Sequence, residues 1–514
     1  MRSGFAAALA TVAILVAGPV FAQKAGVEPP QVKVEPDQAE LLQIGESLQS
    51  GDFETALTRI DRLVDRRDFK AYPIEFQRTM FNVRVGLALE LNRFPQALGY
   101  ARRATGVEGA GAEEWRLRFL AAFSAKDPDE AGEALIVLSG YGLEAFEGLD
   151  AEAVEQFAVT GVRDAQGGVA LQSRLIDAMF KAGWRDTDGD WSDSVSRLWT
   201  LRAARAVEAG DLAYAMQLAA KVEAASSRAV IAVDRRFAPV REAMPSSVDV
   251  EGALDRELAT ARMAASSDPL DLGAAYALSF NLMGRGRLDE AYDVIDGALT
   301  RVAAAEGKPG VVGPDPDDLI WALDTRSRIL VRLGRYDEAV RDLRRASRQP
   351  EGGRMNVSHA INLGDLYVSI DRPEAALETV ADIGDGDASP YGMVQAYLVR
   401  ACAFSALGRA AELKTTLSWI EAHADDAPGA VAEAAACTGQ VDKAAADLIA
   451  RLDDPERRSE ALMSVQTYLK TPISTRSGEA RSRFWAEVQA RPDVAAAIER
   501  AGEVRNWPVL AILF

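Results

Sequence analysis

The sequence predicts an all-α chain built as a solenoid of helix pairs. Three observations carry that expectation: amphipathic segments recur in couples, each couple holds a tight turn, and a small residue sits early in the second segment. The clearest couple runs from Leu319 to Ser347, LIWALDTRSRILVRLGRYDEAVRDLRRAS. Leu319, Leu323, Leu330 and Leu333 share one helical face, Gly334-Arg335 interrupts, and Ala339, Val340, Leu343 and Ala346 build a second apolar face. The phrase recurs as LSFNLMGRGRLDEAYDVIDGAL, with Gly286, Leu288 and Ala291 in the corresponding places. It recurs again as INLGDLYVSIDRPEAALETVADI, which keeps Leu363, Gly364, Tyr367 and Ala376.

These residues resemble the tetratricopeptide repeat family, whose unit is a helix, a Gly-x-aromatic turn, a small residue early in the second helix and a proline near the end. Gly334, Tyr336, Ala339 and Pro350 fill those roles, while the tryptophan and leucine-glycine signature of the first helix is only partly kept. Weaker copies carry Gly51, Phe53 and Ala56; Phe94 and Ala97; Ala131; Gly210, Leu212 and Ala215; Gly408; and Gly439 and Ala444, so the resemblance covers most of residues 38 to 452. The small residues are 37 positions apart from Ala339 to Ala376 and 48 apart from Ala291 to Ala339, against the family's 34. The excess is expected in turns and loops. The small residue has a physical purpose, because helices about 8 to 10 Å apart accept no branched side chain where their axes cross.

The resemblance implies a right-handed superhelical solenoid of about nine or ten irregular helix pairs. We divide it into an N-terminal array at 38–260, irregular around 140–195, a C-terminal array at 261–452 and a helical cap at 453–514. In the family, first helices line a concave surface that binds extended peptides or partner helices. Carrying the helix registers over, the residues expected in that groove are Tyr276, Phe280 and Met283, then Trp321, Asp324 and Arg328, then Ile361 and Asp365. Aromatic and methionine side chains there suit an apolar peptide anchor; the alternative is ordinary packing between helices. The lysine and asparagine clamp by which some members grip a terminal carboxylate is not reproduced, since Tyr276 and Phe280 or Asp324 and Arg328 stand at the matching places.

The remaining segments are read from composition. Met1-Arg2, the apolar run Gly4 to Ala17, Gly18-Pro19 and Val20-Phe21-Ala22 read as a secretory signal peptide cut after Ala22. The run is shorter than the roughly 20 apolar residues that span a bilayer, so a periplasmic or secreted protein is expected. Residues 23–37, with Pro29, Pro30 and Pro36, read as an extended tether, and 305–318, AEGKPGVVGPDPDD, as an exposed loop, with a hinge as the alternative. Beyond Pro472, Phe484, Trp485 and Trp507 read as aromatics of a cap that closes the core, with an exposed docking segment as the alternative.

Charge and chemistry exclude more than they select. The chain holds 58 basic and 77 acidic side chains, a surface that repels nucleic acid and anionic lipid and suits cationic partners. Two cysteines, Cys402 and Cys437, and two histidines, His359 and His423, are too few for a disulfide-stapled fold or a conventional zinc site. The cysteines are expected on the first helices of adjacent repeats, as separate buried thiols or as a pair. Asp186, Asp188 and Asp190 lack the distal glutamate of a calcium loop, and Gly284-Arg285-Gly286 and Gly384-Asp385-Gly386 lack the strand that a phosphate cradle needs. With no catalytic motif, no metal and no cofactor indicated, the expected function is an adaptor or scaffold that binds a protein or peptide of the cell envelope. The alternative is a subunit or enzyme that handles envelope polysaccharide or peptidoglycan, whose sign would be aromatic platforms flanked by carboxylates.

Overall fold

The computed structural model describes residues 38–185, 194–305, 308, 315–350, 356–384, 386–472 and 475–513. The expected signal peptide, the proline-rich tether, the acidic run Asp186 to Asp190, most of the 305–318 insertion, and Asp385 of the second glycine pair lie outside the described residues. Among the described residues, regular structure is helical apart from two isolated β-bridges. No described helix is long and apolar enough to cross a membrane.

Packing divides the chain into two compact units, one ending at Arg202 and the other beginning at Ala203. In the first unit, α1 (Gln38–Gln49) pairs with α2 (Phe53–Val64), α3 (Ile74–Glu90) with α4 (Phe94–Thr105), and α5 (Ala112–Ser124) with α6 (Pro128–Ser139). The irregular stretch follows: α7 (Ala151–Val159) and α8 (Gly168–Ala182) are entered through 3-10 turns at Leu143–Phe146 and Gly161–Asp164. Helix α9 (Ser194–Glu208) spans the division.

The second unit opens with α10 (Leu212–Ala219), α11 (Ala225–Val233), α12 (Ala238–Ala243) and α13 (Val250–Ser267). Five regular pairs follow: α14 (Leu272–Gly284) with α15 (Leu288–Ala305), α16 (Pro316–Arg332) with α17 (Tyr336–Ser347), α18 (Val357–Ser369) with α19 (Pro373–Thr379), α20 (Pro390–Ala406) with α21 (Ala410–Ala422), and α22 (Ala430–Thr438) with α23 (Val441–Asp453). The chain ends in α24 (Arg458–Ser464), α25 (Arg476–Gln489) and α26 (Pro492–Ala501).

One local device makes each hairpin. The last turn of the first helix ends in a residue with positive φ: Gly51, Asn92, Lys126, Gly210, Gly286, Gly334, Asp371, Gly408 or Gly439. The next residue caps the second helix. Where it is aspartate the side chain does the capping, as Asp52, Asp127 and Asp211 accept from the backbone N–H groups of Thr55, Glu130 and Tyr214. At some of the arginine caps an ion pair does related work, among them Arg335 with Glu338 at 2.7 Å and Arg409 with Glu412 at 2.7 Å, three residues along the first turn. Four residues after the cap stands a small side chain in every one of these pairs except the one after Gly408, where Leu413 takes the place, and Ala56, Ala97, Ala131, Ala215, Ala291, Ala339, Ala376 and Ala444 are all fully buried. Turn, cap and close contact together fix the angle of each pair.

The C-terminal segment does more than cover one end of the second unit. Residues of α11 and α13 share a core with α22 to α26 that includes Phe484 and Trp507, both buried, and Trp485 at its margin. The Glu503 amide donates to the Val233 carbonyl, and the amides of Thr467, Trp507 and Leu469 pair with the carbonyls of Arg505, Thr467 and Val509. A polar knot lies beside this seam: buried Asp234 accepts from Arg236 and Ser459, and Arg236 also donates to the Pro455 carbonyl. The segment thereby joins the first helices of the unit to its last ones.

Candidate functional site

First helices of the second unit lie side by side. α14 packs on α16, α18 on α20, and α20 on α22. Between α16 and α18 the link is made by side chains: Asn362 Nδ2 donates to Asp324 Oδ1 at 3.0 Å, and the Trp321 and His359 rings meet edge to face at 4.9 Å. Their shared concave face holds a pocket of about 670 Å3. Helix α16 contributes Trp321 and Arg328; α18 contributes Ile361, Asn362 and Asp365; α20 contributes Tyr391, Gln395 and Leu398; α22 contributes Glu433; and α25 adds Arg481.

Two aromatic rings stand open to solvent at this face, Trp321 at 41% and Tyr391 at 58% relative exposure. Beneath Trp321, His359 is buried and engages Asn356 Oδ1 through Nδ1 at 2.9 Å, and its ring supports the indole edge to face.

The charges are arranged in layers. Asp324 is buried and already engaged, accepting from Arg328 Nε and Asn362 Nδ2. Arg481 forms an ion pair with Glu433. Asp365 differs, since its carboxylate has no hydrogen-bond or ion-pair partner among the described residues. It is open to water on the pocket side yet ringed by protein on the others. Asp365 is exposed by surface area, but the protein packed around it pushes its carboxyl above the usual carboxylate range, with Arg481 and Arg328 pulling the other way. Burial also pushes Glu433 up, against Arg481 and Arg451, with Asp365 adding to the rise.

Cys402 and Cys437 form a disulfide across α20 and α22, with Cα atoms 5.0 Å apart, and both line the pocket. Of the two sequence readings, separate thiols and a pair, the structure holds the pair. Adjacent first helices present the residues to each other at a separation that a disulfide spans.

The eight residues expected in the groove fall into four sets. Trp321, Arg328, Ile361 and Asp365 line the pocket. Asp324 lies behind it, where it orients Arg328 and Asn362. Tyr276 and Phe280 are half-buried on α14 outside the pocket. Met283 is fully buried, a correction to its expected groove position, because the closing segment reaches this end of α14. There the Leu510 amide donates to the Gly284 carbonyl at 2.6 Å, and Leu513 packs where a Cβ on Gly284 would stand. Tyr391, Glu433 and Arg481 were missed. Tyr391 begins a helix whose repeat signature is weak, and Arg481 comes from beyond the repeats, where no periodicity aims it at a groove.

No protein-family model matches the chain, and no curated protein matches it in sequence. Among solved structures it is similar to the Cut9–Hcn1 hetero-tetramer of the APC/C, at 11% identity and a TM-score of 0.28, covering 90% of this chain and 89% of that one. It is also similar to yeast Tom70, at 10% identity and a TM-score of 0.28, covering 90% and 99%. A third is the TPR domain of P58(IPK), at 13% identity and a TM-score of 0.18, covering 88% and 99%. Likeness at these scores carries no argument. The tetratricopeptide-like fold rests on the paired helices, left-handed turns and buried alanines of the chain itself.

Proposed function

We propose that this chain is an exported scaffold of the cell envelope, with no catalytic activity of its own, that holds a segment of another protein in the concave pocket of its second unit. The observation that carries the reading is the pair of exposed rings, Trp321 and Tyr391, on a concave face that also holds apolar Ile361 and Leu398 and charged Asp365. Aromatic rings bring large contact area at small entropic cost, and flanking charges fix register. Export is supported by the amino-terminal sequence from Met1 to Ala22. A disulfide beside the pocket suits an oxidising compartment.

In-cell cross-linking and affinity purification of the natural chain beside a Trp321→Ala, Tyr391→Ala double variant tests the reading. A partner protein retained by the former and lost from the latter, at unchanged helicity, supports it. Identical recoveries from both count against the pocket. A second reading has its own observation: the exposed rings lie beside the carboxylates Asp365, Asp387 and Glu433, the arrangement expected of a glycan platform. Recovery of peptidoglycan or exopolysaccharide, with no protein, favours that one.

A further inference from the structure

We infer that the pocket takes a cationic side chain, a lysine or arginine carried on an extended peptide, seated against Asp365 with Trp321 and Tyr391 as aromatic walls. The inference rests on the peptide-scaffold reading and adds the chemistry of what is held.

Charge complementarity is the first argument. Among the pocket-lining residues, Arg328 and Arg481 stand with Asp365, Asp387 and Glu433, so carboxylates outnumber guanidinium groups by one. The two cations are committed, Arg328 to Asp324 and Arg481 to Glu433. Among the described residues Asp365 is left without a hydrogen-bond or ion-pair partner, and Asp387 spends one oxygen on the Gly384 amide at 2.9 Å. An anionic ligand would meet these carboxylates beside guanidinium groups that are already ion-paired, whereas an ammonium or guanidinium group would complete Asp365.

The walls supply the second argument. Trp321 and Tyr391 are exposed at a face of otherwise packed helices, and a cation over such a ring gains from its quadrupole while the ring covers the aliphatic stem. The third is solvation: protein around Asp365 already costs its charged form some hydration, and an incoming cation restores that loss.

Calorimetric titration with a capped peptide, Gly-Ser-Lys-Leu-Lys-Gly-Ser, tests the inference against the same peptide bearing glutamine or glutamate in place of both lysines. At about 150 mM salt, where long-range attraction to the acidic chain is screened, the lysine peptide is expected to bind at least ten-fold more tightly than the glutamine one. Asp365→Asn should bring it down to the glutamine level, while Glu90→Gln, an exposed carboxylate on the first unit, should change nothing. The charged groups facing Asp365 are Arg328 from α16, Asp387 before α20, Glu433 from α22 and Arg481 from α25.

Equal binding of all three peptides, lost in Trp321→Ala but kept in Asp365→Asn, overturns the cation site and leaves the peptide groove standing. No binding of any peptide at millimolar concentration overturns the cation site; if Trp321→Ala and Tyr391→Ala also leave the cross-linked partners unchanged, the scaffold reading falls with it. An effect of Asp365→Asn no larger than that of Glu90→Gln assigns the attraction to overall charge and likewise overturns the site.

Discussion

At the scale of single residues, two carboxylates with opposite environments give opposite pH behaviour. Glu114 is buried, and burial alone would raise its carboxyl, but Arg78, the Gly111 amide and Asn82 outweigh it and hold the group below its usual value. Its contribution is therefore present above the unfolded value of about 4.3 and lost as pH falls through the lower folded value. Glu114→Ala leaves the Arg78 charge half-paired and should cost about 3 kcal/mol at pH 7, by denaturant unfolding. The gap between natural and variant chains should narrow as the solution is acidified. Asp365 has the reverse sign. Its folded value is raised, so its charged form destabilises the fold once the pH exceeds the unfolded value, and Asp365→Asn should melt higher than the natural chain at pH 7 while binding less. The difference should vanish near pH 4, readable in melting curves across that range. Gly364 is a steric case: a Cβ there would stand 2.8 Å from Thr379 Oγ1 and 2.9 Å from Val399, so Gly364→Val should cost about 1 to 3 kcal/mol through overpacking.

Elements were the most legible level, because each hairpin carries its own instruction in sequence. Positions such as Gly334, Ala339 and Ala376 are what the helices need to turn and to touch, so a pattern of single residues identifies the pair. Asn92, Lys126 and Asp371 do the turn without glycine and were silent to a search for glycine. Lys126→Gly should relieve the left-handed strain and raise stability by up to about 1 kcal/mol, measured by the midpoint of urea unfolding. The disulfide belongs to this scale too. Its two residues were correctly assigned to adjacent first helices, but bonding depends on how those helices present them, which spacing does not state. Cys402→Ser should destabilise by about 3 to 4 kcal/mol under oxidising conditions, as expected for a loop of this length, and by nothing further once reductant is added.

At the level of the whole molecule, the sequence was least informative, because long-range partners leave no periodic trace. The pairing of residues 503–510 with 465–469, the amide of Glu503 on Val233, and the reach of Arg481 into the pocket all join positions far apart in the chain. Half of the expected groove residues line the pocket because they sit in clear repeats; Tyr391, Glu433 and Arg481 come from weak repeats or none. The most direct test of the central claim, that the concave pocket of the second unit holds a protein segment, is site-specific photo-cross-linking in cells. A photoreactive phenylalanine replaces Trp321 in one strain and Val169, an exposed apolar residue of the first unit, in another. The account predicts a discrete protein adduct from position 321 that disappears when Asp365→Asn is added, and none of the same mass from position 169. The same adduct from both positions, or no protein adduct from position 321, would contradict it.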